Sequence, residues 1–256
     1  HLGVRRQRQM CIRDRSIQEP FVSYLSEKSR KKAETFSKKH DLFLQTPREV
    51  RKFHNDKLII WIDQEDTYLQ DLSIKNSKPF GLNFTKHQSR NNNKNLLQRC
   101  FSKFDTSFLV YDLTAGFCLD SFLISELGFK VKAYEKESWL YEFTKEKLKD
   151  QKIFNIKIKN KNSLDVLGEI ENKSIIYLDP MFGVDNKAFA KKEMHFLRKS
   201  LNDDPDKLIN AALESKACLI VVKRHKVDKF KIKNSPSFEL QGKVVSFQVY
   251  DRRERL

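Results

Sequence analysis

The chain has 256 residues and 39% of them are hydrophobic, enough for one large α/β core and too many for disorder throughout. Four cysteines (Cys11, Cys100, Cys118, Cys218) stand without a CxxC pair, which argues against a zinc site or a disulfide scaffold and suits a reducing compartment. Fifty basic residues against 34 acidic ones give a net charge of +16, which favours a polyanionic partner because each neutralised phosphate releases a condensed counterion. A Lys-rich composition that merely coats the surface gives the same excess. No apolar run approaches the ~20 residues of a membrane span. The expectation is therefore a cytoplasmic chain with no membrane partner and no metal.

Residues 1–15 (HLGVRRQRQMCIRDR) lack apolar periodicity and read as a non-native scar joined to the chain, so they are set aside from fold reasoning. Residues 16–104 form a small N-terminal α+β region. Within it, Glu19 to Lys39 is charged with scattered apolar positions and suits one helix or a loop. Leu58–Ile62 and Thr67–Leu72 are strands joined by the polar turn Asp63–Asp66, and Pro79–Phe84 is a third short strand. Arg90–Lys94 is a polar linker. Asn95–Phe104 is a helix leading into the main domain, residues 105–256.

From Ser107 the chain alternates strand and helix. Phe108–Leu113 is a near-continuous apolar run, as a buried parallel strand requires. A helix over Asp120–Leu127, a strand over Lys130–Glu135 and a helix over Ser138–Lys149 follow. Ile153–Ile158 is a strand interrupted by lysines, and Ser174–Leu178 is a strand ending at Asp179-Pro180. Lys187–Leu201 is a helix, Asp204 caps another with Pro205 at its first position, and Ala217–Val222 is the next strand. Phe238–Gln241 and Val244–Tyr250 make a closing hairpin around Gly242-Lys243. Repeated βα units imply a parallel sheet with helices on both faces, and ligands in such sheets bind beyond the carboxyl ends of the strands.

The chemistry is expected at those ends. Asp112-Leu113-Thr114-Ala115-Gly116 follows the first strand of the main domain, where Gly116 lets the backbone approach a ligand and the next helix offers unpaired amides. The run continues Phe117-Cys118-Leu119-Asp120, so the second and third glycines of a dinucleotide fingerprint are missing and NAD is disfavoured. Glu135 ends the second strand, where a carboxylate can accept both hydroxyls of an adenosine ribose. Asp179-Pro180-Met181-Phe182 is an Asp-Pro-x-aromatic turn of the kind that serves amino-group methyltransferases. An exocyclic amine is a poor nucleophile because its lone pair is delocalised into the ring. Acceptors at Asp179 and the Pro180 carbonyl can hold its N–H groups and steer the lone pair, while Phe182 offers a stacking face. Basic clusters at Lys187, Lys191 and Lys192 and at Lys223-Arg224-His225-Lys226 flank this turn and are candidate phosphate contacts. Cys118 and Cys218 read as packing residues, and His195 as a surface residue.

Taken together these residues resemble the ribosomal RNA small subunit methyltransferase J family. Its Asp-Ala-Thr-Ala-Gly-Leu-Gly-Arg-Asp motif is similar to Asp112 through Asp120. Its Tyr-Leu-Asp-Pro-Met-Phe stands at Tyr177 to Phe182, its Lys-Lys-Glu-Met at Lys191 to Met194, and its Val-Val-Lys-Arg at Val221 to Arg224. Similarity runs from roughly Leu58 to Tyr250 and is strong after Val110. The resemblance implies a Rossmann-like methyltransferase fold with a mostly parallel seven-stranded sheet and a terminal antiparallel hairpin. It also implies S-adenosylmethionine as cofactor, and methylation of a guanine N2 in 16S rRNA, free or within the small ribosomal subunit. Implied cofactor contacts are Leu119, Asp120, Glu135, Lys136, Asn162, Ser163 and Asp179, joined by Asp112 and Gly116 of the first turn. The RNA contacts expected from the basic clusters are Lys191, Lys192, Lys223 and Arg224. The chain departs from the family pattern at Cys118 (for Gly), Leu119 (for Arg), Lys136 (for Arg) and Asn162 (for Ser). Two other readings use the same residues: an amino-methyltransferase on adenine N6 of RNA or DNA, and an RNA-binding protein that has lost its cofactor.

Overall fold

Residues 19–53, 57–86, 94–180, 204–225 and 232–255 are described by a computed structural model, and they divide between two units at Gly81/Leu82. The scar expected at 1–15, the helix expected over Lys187–Leu201, and Met181, Phe182, Lys191, Lys192 and His195 lie outside these residues.

In the first unit, β1 (Phe21–Tyr24) runs parallel to β2 (Leu58–Ile62), and β3 (Thr67–Asp71) runs antiparallel to β2 with Ile60 opposite Leu69. All five residues of β2 are buried, as a central strand of this composition requires. The strand β1 stands where the sequence suggested a helix or loop. Four residues are too few to display a period, and their partner lies far along the chain. Helix α1 (Arg30–Lys39) carries the charged part of that segment. Helix α2 (Pro47–Phe53) begins with a capping box: Thr46 N–H donates to the Glu49 carboxylate at 2.8 Å, and Glu49 N–H donates to Thr46 Oγ1 at 3.2 Å. The third strand expected at Pro79–Phe84 is a single bridge between Phe80 and Leu69. Pro79 cannot donate to a ladder, which limits the pairing.

The second unit holds α3 (Lys94–Phe101), β4 (Leu109–Asp112), α4 (Leu119–Ser125), β5 (Val131–Glu135), α5 (Ser138–Asp150), β6 (Ile156–Asn160), α6 (Ser163–Val166), β7 (Ser174–Leu178), α7 (Pro205–Glu214), β8 (Leu219–His225), β9 (Phe238–Gln241) and β10 (Val245–Asp251). Its sheet has the order β6-β5-β4-β7-β8-β10-β9. The first five strands are parallel, and β10 is antiparallel to both β8 and β9. The strand order reverses beside β4, so the topological switch opens at the carboxyl ends of β4 and β7. This is the fold expected from the sequence.

Residues 82–104, read above as the end of the N-terminal region, belong to this unit. Gln151 accepts from Phe84 N–H at 2.9 Å and donates to Leu82 O at 3.0 Å, and Phe101 packs its ring on Phe129 and Tyr177. Strand β6 starts later than expected because Ile153 N–H closes the end of α5 on Leu148 O, with Lys152 in a left-handed turn at φ 56°. Strand β8 runs on past Val222 because β10 pairs with it as far as His225. Asp204 caps α7 by accepting from Lys207 N–H at 3.1 Å, with Pro205 at the first helical position, as expected. At the other end of α7, the Arg252 guanidinium collects the carbonyls of Leu213, Ser215 and Ala217. Among the described residues, no helix is long and apolar enough to cross a membrane.

Gly242 makes the turn between β9 and β10, where a Cβ would stand 2.7 Å from the Val245 carbonyl oxygen and 2.9 Å from Leu96 Cδ2. Gly242→Ala is expected to destabilise the fold by about 1–3 kcal/mol, because one of the two contacts is backbone and must shift. A lowered denaturant midpoint with an unchanged slope would show it, and an unchanged midpoint would count against this turn geometry.

Candidate active site

The first wall of the site is the turn after β4. Asp112 is buried and its carboxylate is fully engaged: Oδ1 accepts from Thr114 N–H at 3.0 Å, and Oδ2 accepts from Ser121 Oγ at 2.5 Å. It ties β4 to α4 and orders the turn in which the cofactor contact was expected. Burial pushes its carboxyl up to about 7, against hydrogen bonds that favour the ionised form. Gly116 has φ 49° and Cys118 φ 55°, both left-handed. Glycine enters that region freely, whereas a side chain there costs about 1–2 kcal/mol. Cys118 takes this left-handed path with its side chain buried.

Glu135 ends β5 and is buried, with Oε2 accepting from Gly116 N–H at 3.2 Å and Oε1 from Glu137 N–H at 2.8 Å. Two backbone amides thus orient the carboxylate at the mouth of the turn. Lys136 follows, half-buried. Asn160 lies at the end of β6, and its amide donates to the carbonyls of Glu135 and Lys136 at 2.8 and 2.9 Å, joining the two strand ends. Asn162 is exposed and caps α6 by accepting from Leu164 N–H at 3.0 Å, while Ser163 Oγ donates to Leu113 O. The expected contacts of the first, second and third βα turns thus lie at the carboxyl ends of β4, β5 and β6.

The second wall is an ion cluster between α4, the end of β7 and β8. Lys223 Nζ lies 2.6 Å from Asp120 Oδ2 and 2.7 Å from Asp179 Oδ2, with side-chain exposures of 14%, 18% and 15%. Tyr177 donates its hydroxyl to the same Asp120 oxygen at 2.6 Å, and Asp179 N–H donates to Thr114 Oγ1 at 2.7 Å. The two carboxylates share one cation, so they do not titrate alike. Burial and the neighbouring Asp120 raise Asp179 to about 6, against the pull of Lys223. Burial also opposes charge on Asp120, but Lys223 and the Tyr177 hydroxyl outweigh it and hold Asp120 low. Lys223 is pushed above its ordinary value, since the two carboxylates overcome its own desolvation.

Lys223 was read as an RNA phosphate contact, but β8 carries it into the site, where it is committed to two aspartates. Arg224, its neighbour, is half-buried with Nη1 3.4 Å from Gln248 Oε1. Tyr177, Thr114 and Ser121 are site residues that pattern reading missed. Tyr177 passed as one more apolar position of a buried strand, and the two hydroxyls passed as turn residues.

A family model described as "Putative SAM-dependent methyltransferase" matches residues 44–252. The chain belongs to this family. Among curated relatives, Ribosomal RNA small subunit methyltransferase J of Pseudomonas fluorescens (strain Pf0-1) is 31% identical over 157 residues, which cover 56% of this chain and 60% of the relative. The protein of the same name from Hahella chejuensis (strain KCTC 2396) is 33% identical over 155 residues, covering 57% and 59%. The matched stretch thus spans about 60% of the length of these relatives. A solved SAM-dependent methyltransferase from Neisseria gonorrhoeae shares the fold with a TM-score of 0.62, over 90% of this chain and 96% of that one, at 17% identity.

The residues present suit the family's methyl donor, S-adenosylmethionine. Its sulfur is cationic, and Asp120 and Asp179 at the ends of α4 and β7 share one ammonium, that of Lys223, while the Glu135 carboxylate ends β5.

Removing that ammonium should expose how the cluster is balanced. Lys223→Met is expected to cost about 3–5 kcal/mol near neutral pH, because two buried carboxylates lose their cation. Asp179 and Asp112 already titrate above the unfolded value of about 3.9, so their contribution is present at low pH and lost as pH rises through about 6 to 7. Without Lys223, Asp120 joins them. Denaturation between about pH 5 and 8 should therefore show the deficit of the variant shrinking as pH falls. A deficit independent of pH would contradict this balance.

Proposed function

We propose that this chain transfers a methyl group from S-adenosylmethionine to the exocyclic N2 amine of a guanine in 16S rRNA, acting in the cytoplasm. The observation that carries the reading is the Asp179 carboxylate at the carboxyl end of β7, followed by Pro180 and anchored by Lys223. In this reading Asp179 and the Pro180 carbonyl accept the N–H groups of the amine and steer its lone pair toward the methyl group. Positive charge develops on the amine nitrogen as the bond forms, and an ionised Asp179 stabilises it. Asp179 is also the base best placed to take the proton that the amine then sheds. Phe182 supplies a stacking face for the guanine, and Lys191, Lys192 and Arg224 supply phosphate contacts. Glu135 accepts the ribose hydroxyls of the cofactor. Gly116, Leu119, Asp120, Lys136, Asn162 and Ser163 form the rest of its wall. The bound cofactor supplies an electrophilic methyl group on a sulfonium.

Three kinds of support converge. The order Asp-Pro-Met-Phe, Lys-Lys-Glu-Met, Val-Val-Lys-Arg is that of the J-type methyltransferases, and the relatives named above carry that name. The left-handed turn persists at Cys118, which favours a working cofactor turn over a protein that has lost its ligand. The net charge of +16 suits an RNA substrate.

Single-turnover methylation of small-subunit RNA or particles, with the product nucleoside identified by mass spectrometry, tests the reading. Asp179→Ala is expected to lose about 10²–10³ in rate, the usual cost of removing a transition-state acceptor. Its affinity for S-adenosylhomocysteine, measured alongside, separates lost chemistry from lost cofactor. A product other than N2-methylguanosine would remove the substrate assignment and leave methyl transfer standing. Full activity in Asp179→Ala would remove the role given to Asp179.

A further inference from the structure

We infer that the N-terminal unit carries a second RNA contact, a basic groove with an adjoining apolar pocket that takes an unpaired nucleotide. The inference rests on the reading that RNA is the substrate. The first observation is charge. Helix α2 presents Arg48, Arg51 and Lys52, all exposed, along one short stretch. Arg30, across the groove, is held by Glu34 at 3.1 Å and by Glu27 at 3.9 Å. No ion-pair partner holds Arg48, Arg51 or Lys52 among the described residues. Lys52 Nζ also lies 5.0 Å from the centre of the Phe53 ring.

The second observation is shape. These side chains line a cavity of about 780 Å³ that also includes Tyr24, Glu27, Thr46 and Pro47. Tyr24, Pro47 and Arg51 border a second cavity of about 400 Å³, floored by Val50, Trp61, Leu72 and Pro79. Both lie in the range of cavities that accept small organic groups. The floor is rigid: the Trp61 indole N–H donates to Gln70 Oε1 at 2.7 Å, and Gln70 donates in turn to Ser77 O at 2.8 Å. Leu25, 47% exposed, stands at the mouth.

Cations at a rim and an apolar, aromatic floor beside it match the two parts of a nucleotide. Phosphate oxygens meet arginines, whose planar forks suit them, and the flat face of a base meets apolar side chains and an aromatic edge. A paired base has its faces covered by its neighbours in the stack, so the groove selects single-stranded RNA or a loop. Gln70 is already engaged by Trp61 and Ser77, so it offers little base readout, and the contact positions RNA without choosing its sequence.

The test uses the full chain and a short fluorescein-labelled oligoribonucleotide, single-stranded or annealed to its complement, with affinity measured by anisotropy across a salt series. The triple variant Arg48→Ala/Arg51→Ala/Lys52→Ala changes only exposed side chains, and its melting temperature and S-adenosylhomocysteine binding should match those of the parent. Its affinity for the single strand should fall more than about tenfold at physiological salt, and the salt slope should drop by about one per charge removed. Leu25→Glu, which puts a negative charge at the mouth of the apolar pocket, should weaken the single strand more than the duplex. A triple variant with the parent's affinity and slope would overturn the groove while leaving the RNA reading intact. A parent chain that binds neither RNA at low salt would overturn both.

Discussion

One ammonium group organises the carboxyl end of the sheet. Lys223 reaches from β8 to carboxylates on α4 and just past β7, so three elements that approach one another only through the sheet are tied at a single nitrogen. The tie holds in a place where water reaches poorly, and there a charge without a partner is far more costly than at a surface. Two anions on one cation leave an excess of negative charge. That excess suits a sulfonium methyl donor, and together with burial, the larger cause, the neighbouring Asp120 lifts Asp179 to about 6.

The turn after β4 is the second constraint. Asp112 is spent inside it, holding Thr114 and Ser121, and Thr114 in turn accepts the amide of Asp179. The turns after β4 and β7 are thereby one hydrogen-bonded assembly. The left-handed residues at Gly116 and Cys118 are what bend the chain sharply enough to begin α4 with Asp120 facing Lys223. A non-glycine residue at Cys118 is tolerable because the turn is fixed from both sides: Cys118 N–H donates to Ala115 O, and Gly116 is held by Glu135 and Thr144.

Much of this was legible in the sequence where a strong local signal existed. The buried strand at Ser174–Leu178, the Asp204-Pro205 helix start and the terminal hairpin each have chemistry that admits few alternatives. The residues that the sequence hid are those whose meaning depends on a distant partner. Lys223 sits in a run of four basic residues and looks like surface. Only the pairing of β8 with β10 extends the strand through it and turns it inward. Tyr177 reads as core, yet its hydroxyl serves an aspartate 57 positions earlier. Phe21–Tyr24 was invisible as a strand because its partner, β2, is remote and parallel. Local pattern finds the elements; the polar cluster is decided by topology.

The most direct measurement is the pH dependence of single-turnover methyl transfer, at saturating donor, in the parent chain and in Asp120→Asn. With Asp120 ionised beside it, Asp179 should set an acid limb near pH 6, the rate rising as the carboxyl loses its proton. Asp120→Asn removes a negative neighbour while leaving Lys223 in place, so the limb should move to lower pH. A limb at the same pH in both proteins, or none in either, would contradict a coupled Asp120–Lys223–Asp179 cluster at the heart of the site.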